Sequence, residues 1–304
     1  MLKKNLTAYA NTLHLDALGI VTYPLPIDSL AHLEHEKVCP FTHQELEERL
    51  HGNTTLEQPT SLIVVLFPYY VPFQGTSNIS RYTWGKDYHL VVKDYLTRLG
   101  TWLEENATEE EYIGHSVEWE VHVDTSPFAD RYLAYLAGLG FYGKNHCFIH
   151  PHYGSYVAIG SLLTNLKLKE DKPNLSHCIG CETCYLACPG QALSSMDANG
   201  FHYKRCKSYL TQKKGELEPW EIRIMEKTPL LFGCDVCQEV CPHNKDIPTT
   251  PIPEFLSIEP NLDTSNLSSM TNKEFKTAYG DRAFSWRGKS ILLRNKELIK
   301  KENP

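Results

Sequence analysis

The feature that most constrains this chain is a run of cysteines, Cys178-Ile-Gly-Cys181-Glu-Thr-Cys184-Tyr-Leu-Ala-Cys188-Pro189. Its spacing, C-x2-C-x2-C-x3-C-P, is the bacterial ferredoxin pattern for [4Fe–4S] ligation. Two-residue spacers let a looping backbone offer three thiolates to three corners of one cube. The fourth cysteine lies too far along, the proline turns the chain away, and in two-cluster ferredoxins that cysteine ligates the other cluster. A second set is therefore required. Cys234-Asp-Val-Cys237-Gln-Glu-Val-Cys241-Pro242 supplies C-x2-C-x3-C-P, one cysteine short of a full motif, and Cys206 is the remaining cysteine nearby. The exchange rule predicts one cluster on Cys178, Cys181, Cys184 and Cys241, and another on Cys188, Cys206, Cys234 and Cys237. A zinc site wants four ligands with longer gaps between pairs; the third cysteine and the Cys-Pro ends do not fit it. Cys39 and Cys147 lie outside the motifs and read as ordinary buried thiols.

Two clusters side by side form a wire for single electrons. The rest of the chain is too large for a carrier alone. At 304 residues, 41% of them hydrophobic, there is room for about two domains with real cores. No apolar run approaches the roughly 20 residues needed to cross a bilayer. The basic start, Met1-Leu-Lys-Lys, is followed by no apolar segment of signal-peptide type, so a cytoplasmic location is expected. A reducing compartment does not suit a disulfide framework, which again leaves the cysteines to metal.

Three parts are expected: an α+β domain over 1–165, a ferredoxin-type domain over 166–250 and a short basic segment over 251–304. In the first, Ser61-Leu-Ile-Val-Val-Leu-Phe67 reads as a buried central strand. Leu90, Val91, Tyr95, Leu99, Trp102 and Leu103 give residues 87–106 an amphipathic helical pattern. Val117, Trp119, Val121 and Val123 alternate with Glu118, Glu120 and His122, as in a half-buried strand ending at Asp124. Asp124-Thr-Ser-Pro127 then reads as the start of a helix over 128–139, and another strand is expected at 156–163. The formal net charge of −7 argues weakly against a nucleic-acid partner. Residues 271–304, however, carry nine Lys and Arg (among them Arg282, Lys289, Arg294, Lys296, Lys300 and Lys301) against Glu274, Asp281, Glu297 and Glu302, a local excess of +5. The plain reading of such a stretch, and of Lys204-Arg205-Cys206-Lys207, is a solvated face.

The electron acceptor is not identified by spacing. There is no G-x-G-x-x-G after a strand and no P-loop. Gly138-Leu-Gly140-Phe-Tyr-Gly143 falls at a helix end, and Asp87-Tyr-His89 begins a D-x-H-x-x-G motif without its glycine. A set of ordered stretches nevertheless resembles the epoxyqueuosine reductase family. They are Trp84-Gly-Lys-Asp-Tyr-His89, Val123-Asp-Thr125 with Asp130-Arg131, Ala137-Gly-Leu-Gly-Phe141 with Lys144-Asn145, and Tyr153-Gly-Ser-Tyr156. Cys206-x-Ser-Tyr-Leu-Thr-Gln212, Gly233-Cys-Asp-x-Cys237 and Ser285-Trp-Arg-Gly288 continue the series.

The resemblance implies a nitroreductase-like catalytic domain, similar to that of cobalamin-dependent reductive dehalogenases. It implies base-off cobalamin between that domain and the ferredoxin domain, and reduction of epoxyqueuosine in tRNA to queuosine with the oxygen leaving as water. An electron donor such as a flavodoxin or ferredoxin, no membrane and a monomer are expected. The departing oxygen needs a proton from a group within about 2.6–3.2 Å. Asp124 matches the family's proposed donor, and a desolvated carboxylic acid stays protonated near neutral pH; the alternative is that it caps the following helix. Asp87, Tyr88 and His89 match a motif beside the active site, with a surface histidine as the alternative. Arg131 would fix substrate or phosphate, or serve a structural ion pair. Phe148 and Ile159 would lie against the corrin, or simply pack the core. Ser208 and Asp235 are weaker candidates for cofactor or RNA contact. Two departures from the family stand out: Ser80 occupies a place where many members have cysteine, and the chain ends soon after Trp286 without HEAT-like repeats. The basic segment would then have to position RNA phosphates. The rival readings are a small-molecule cobalamin reductase and a ferredoxin-type carrier.

Overall fold

A computed structural model describes residues 1–26, 28–29, 33, 39–42, 45–193 and 201–299. The chain forms two compact units, Met1–Pro68 with His89–Ile179, and Tyr69–Tyr88 with Gly180–Pro304. This division differs from the three-part expectation. The break falls at 179 rather than 165, residues 69–88 join the cysteine region, and the basic C-terminal segment folds with that region instead of standing apart.

The first unit is built on a four-stranded antiparallel sheet of order β1-β2-β6-β3, comprising β1 (Leu18–Thr22), β2 (Ser61–Pro68), β3 (Trp119–Val123) and β6 (Val157–Thr164). A small hairpin, β4 (Phe141–Tyr142) with β5 (Phe148–Ile149), lies outside it. β2 is buried along its whole length. That is what its unbroken apolar run predicts for a strand paired on both sides and covered on both faces. One face carries Leu62, Val64, Leu66 and Leu163 in a core with Phe128, Leu133 and Ala134; the last two lie on the helix Asp130–Leu136. The helix Tyr88–Asn106 covers the opposite face, burying Val91, Val92, Tyr95, Leu96, Leu99 and Leu103. It passes so close that a Cβ at Gly160 of β6 would meet Val92 Cγ1 at 2.3 Å, and one at Gly100 would meet the Trp119 ring at 2.4 Å. Layers on both sides change the reading of β3. Its alternation predicts buried valines and exposed polar residues, yet His122 is its one buried residue. It packs edge-on to Phe128 at 5.0 Å.

The second unit holds Ile79, Trp84, Leu231, Phe232, Leu262, Phe275, Phe284 and Leu292 in one core. Leu210, Ile224 and Met225 form a smaller one. Residues 69–88 belong here because Ile79 bridges Phe232 and Ser80 N–H donates to the Phe232 carbonyl at 2.9 Å. The C-terminal helix Lys289–Ile299 contributes Leu292, and its buried Asn295 donates to the carbonyls of Thr211 (2.8 Å) and Leu231 (2.7 Å). Among the described residues, no helix is long and apolar enough to cross a membrane.

Candidate active site and cluster region

In the first unit the sheet end carries the candidate acid–base pair, Asp124 and His89. β3 stops at Val123, and Thr125 N–H closes a three-residue turn on the Val123 carbonyl around Asp124. Asp124 sits at φ +47, in the left-handed region that aspartate tolerates better than most residues. The helix that follows begins at Asp130 with Ala129 at its N-cap and no side-chain cap, so Asp124 is not that helix's cap. Its carboxylate Oδ2 instead meets His89 Nε2 at 3.1 Å. The Asp124 side chain is 57% exposed, so desolvation is not what would hold a proton there; the His89 ring is its polar partner. Val123 pairs with Gly160, which places Asp124 beside Ile159 at one end of the sheet. At that end Val157, Ala158 and Ile159 of β6 are half-buried, whereas Gly160–Thr164 are buried.

Other candidates have structural employment in the first unit. Arg131 donates through Nη1 to the His146 carbonyl and lies over the Tyr142 ring at 5.9 Å. Phe148 is buried in the core. In the second unit, Asp87 donates its backbone N–H to the Asp281 carbonyl at 2.6 Å, and Tyr88 packs edge-on to Tyr82 at 6.2 Å. The Ser208 carbonyl accepts from Thr211 Oγ1 and Gln212 Nε2. Cys39 and Cys147 are half-buried rather than buried.

The cysteines of the second unit cluster by chemistry. Burial pushes the Cys206 thiol up to about 12, and its thiol neighbours Cys237 and Cys188 add to this. Burial raises Cys234 further, again with Cys206 and Cys237 as neighbours. Cys184 is pushed up to about 11 by burial, then by Cys237 and Cys241. Backbone amides oppose these shifts, with Tyr209 and Ser208 N–H turned to Cys206 and Val236 N–H to Cys234. A coordinating metal deprotonates such thiols outright, so a group of neighbouring thiols suits an iron–sulfur ligand set. Cys206 thus has Cys188, Cys234 and Cys237 as neighbours, and Cys237 in turn lies near Cys184, which also neighbours Cys241. Among the described residues, no three His, Cys, Asp or Glu converge tightly enough for a single ion; a cubane spreads its ligands to four corners.

Two features here are not apparent in the sequence. Asp235, 2% exposed between Cys234 and Cys237, accepts from Ser80 Oγ (2.5 Å) and Arg81 N–H (2.7 Å). Gly233, at φ +71, admits this contact, since a Cβ there would lie 2.4 Å from the Ser80 Cβ. Ser80 is therefore a clasp between residues 69–88 and the cysteine loop. Lys207, read as part of a solvated basic face, is instead 1% exposed. Several residues of the basic C-terminal segment are likewise turned inward. Arg294 donates to the carbonyls of Lys213 (2.6 Å), Gly215 (2.7 Å) and Leu210 (3.1 Å), Lys296 to Thr264 (2.9 Å), and Arg282 pairs with Glu259 (3.0 Å). Lys300, Lys301 and Glu302 lie outside the described residues.

Fold and cysteines together define an α+β oxidoreductase with an iron–sulfur domain. A family model described as a 4Fe-4S double cluster binding domain matches residues 177–244, and one described as Epoxyqueuosine reductase QueG, DUF1730 matches 49–125. An epoxyqueuosine reductase of Lactococcus garvieae (strain Lg2) is 36% identical over 270 residues, covering 84% of this chain and 72% of the relative. That of Listeria monocytogenes is 33% identical, covering 98% and 80%. The chain belongs to the epoxyqueuosine reductase family. A crystal structure of an epoxyqueuosine reductase with an epoxyqueuosine-modified tRNA-Tyr stem loop superposes with TM-score 0.85 at 30% identity, covering 98% of this chain and 80% of that one. A Bacillus subtilis epoxyqueuosine reductase whose catalytic aspartate loop is swung out of the active site gives TM-score 0.84 at 29% identity.

Proposed function

We propose that this protein reduces epoxyqueuosine to queuosine in tRNA, with Asp124 delivering a proton to the departing epoxide oxygen, which leaves as water. The observation that carries the reading is the Asp124–His89 contact of 3.1 Å at the end of the sheet, on a chain whose relatives share the activity along nearly its whole length. The reaction breaks both epoxide C–O bonds and forms a C=C bond, so it consumes two electrons and two protons. His89, hydrogen-bonded to the carboxylate, holds it in position and is the second proton source.

The proposed cofactors are two [4Fe–4S] clusters and a base-off cobalamin. Cys178, Cys181, Cys184 and Cys241 are the proposed ligands of one cluster, and Cys188, Cys206, Cys234 and Cys237 of the other; the motif spacing supports this division, and Cys188, Cys234 and Cys237 are thiol neighbours of Cys206. The half-covered apolar stretch Val157–Ile159 beside Asp124 suits an apolar macrocycle face. Phe148 is buried in the core, while Ile159 packs against that core but is only half-buried, which leaves it a face for that role. When bound, the clusters supply electrons singly and the cobalamin supplies the centre at which two are used. A nitroreductase-like catalytic unit, a flavodoxin or ferredoxin as donor, a monomeric state and a cytoplasmic location complete the proposal.

The test is anaerobic incubation of reconstituted protein, cobalamin and a strong reductant with tRNA carrying epoxyqueuosine, followed by nucleoside mass spectrometry. Loss of one oxygen, dependent on cobalamin, is expected. An unchanged nucleoside from protein that holds the iron of both clusters and accepts electrons would sink the tRNA assignment.

A further inference from the structure

Lys207 is the buried lysine nearest the cysteine loops, and neither the motif nor the proposed reaction uses it. It opens the short helix Lys207–Gln212, directly after Cys206. The family stretch Cys-x-Ser-Tyr-Leu-Thr-Gln leaves this place unspecified. Its Nζ donates to the Met225 carbonyl, the Thr228 carbonyl and Thr228 Oγ1, each at 2.6 Å. Three oxygen acceptors engage all three donors of an ammonium, whereas a neutral amine has only two. The side chain is thus held among three acceptors that suit an ammonium; burial works against its charge and the neighbouring Cys234 favours it. The other charges near that cysteine loop are the buried Asp235, with Glu239 and Arg81 beside it.

We propose that Lys207 is a positioning and tuning residue whose buried positive charge raises the reduction potential of the cluster held by Cys188, Cys206, Cys234 and Cys237. A [4Fe–4S] centre becomes one charge more negative on reduction, and cluster potentials follow net charge, hydrogen bonding and burial. A fixed cation on the residue next to Cys206, in a medium of low dielectric, favours the reduced form. Surface lysines, screened by water and salt, do so far less.

The inference rests on the cluster assignment above, and the test separates the two. Reconstituted full-length protein is titrated electrochemically and followed by EPR, with Cys206→Ser used to identify which signal belongs to this set. Lys207→Gln keeps donors for the carbonyls but removes the charge, Lys207→Met removes both, and Lys227→Gln neutralises an exposed lysine whose Nζ donates to the Pro189 carbonyl at 2.7 Å. Expected in both Lys207 variants is a fall of about tenfold in the reduced-to-oxidised ratio of that cluster at the wild-type midpoint. For one electron this is about 59 mV. The other cluster and the Lys227→Gln protein should stay unmoved.

Unshifted potentials in an iron-replete Lys207→Gln protein would overturn the inference, as would an equal shift in Lys227→Gln. Loss of iron in both neutral variants also overturns it, because Lys207 would then be a structural pin. Wild-type protein with only one cluster would instead defeat the assignment beneath it.

Discussion

At Asp124 the backbone limits which substitutions are informative. With φ at +47, alanine would add strain to the loss of a carboxyl group, whereas asparagine tolerates that region nearly as well as aspartate. Asp124→Asn is therefore expected to leave the fold and iron content unchanged while lowering single-turnover reduction by about 10²–10⁴-fold, the usual scale for removing a general acid. Nucleoside mass spectrometry over time measures it. His89→Gln keeps a hydrogen bond to the carboxylate but cannot supply a proton, and a smaller fall is expected. A drop in Asp124→Asn matched by lost iron or altered circular dichroism would assign the residue to structure instead. The carboxylate's role was legible only through resemblance. Spacing shows an aspartate after a strand, and nothing local tells that His89, 35 positions away, comes to it. For the same reason the burial of Lys207 was not legible: its acceptors at Met225 and Thr228 are supplied by a later helix and the turn beyond it.

Elements were legible where one pattern faces one environment. β2 is a continuous apolar run and is buried throughout; the helix of residues 88–106 has its apolar stripe on the sheet. β3 follows its period but not its expected faces, because helices lie on both sides and His122 is drawn under Phe128. The Gly160 contact tests how tightly those layers fit. Gly160→Ala puts a methyl group 2.3 Å from Val92 Cγ1, within a buried interface. A loss of about 1–3 kcal/mol in urea melts is expected from such overpacking.

The turn after β5 offers a pH test. His150 Nδ1 accepts the N–H groups of His152 and Tyr153, each at 3.2 Å. Burial pulls the ring down from 6.5 to about 4, with His152 adding to this and Asp16 opposing. The unfolded chain therefore takes up a proton before the folded one, and stability falls as pH drops from 6.5 towards 4. The expected loss is on the order of 2 kcal/mol, allowing for partial exposure. His150→Asn, whose amide oxygen accepts the same two bonds without titrating, should flatten that part of the profile between pH 7 and 5.

For the molecule as a whole, the expectation least matched by the structure concerned the C-terminal segment. Composition presents it as a charged tail, because charge is counted per residue and the acceptors lie elsewhere in the chain. Folded, it closes the second unit. Arg294 holds three carbonyls between Leu210 and Gly215, and Asn295 links Thr211 to Leu231 from a position with no exposure. Leu231 lies three residues before Cys234, and Thr211 Oγ1 accepts from Gly233 N–H at 2.9 Å, so both sit against the start of that cysteine loop. Asn295→Ala leaves their carbonyls unsatisfied in the interior, at about 1–3 kcal/mol per group. Asn295→Asp would keep the size but replace the amide donors by oxygen, and should be worse. The expected outcome is a lowered urea midpoint and reduced iron per chain after reconstitution, with Asp more severe than Ala. Wild-type iron content and stability in both variants would mean that the segment is only appended to the cluster unit and that its charge is free for other work, RNA included. Loss of iron would mean that the family's redox region extends to the last described helix, and that the basic residues there must first be discounted as structural before any are assigned to phosphate.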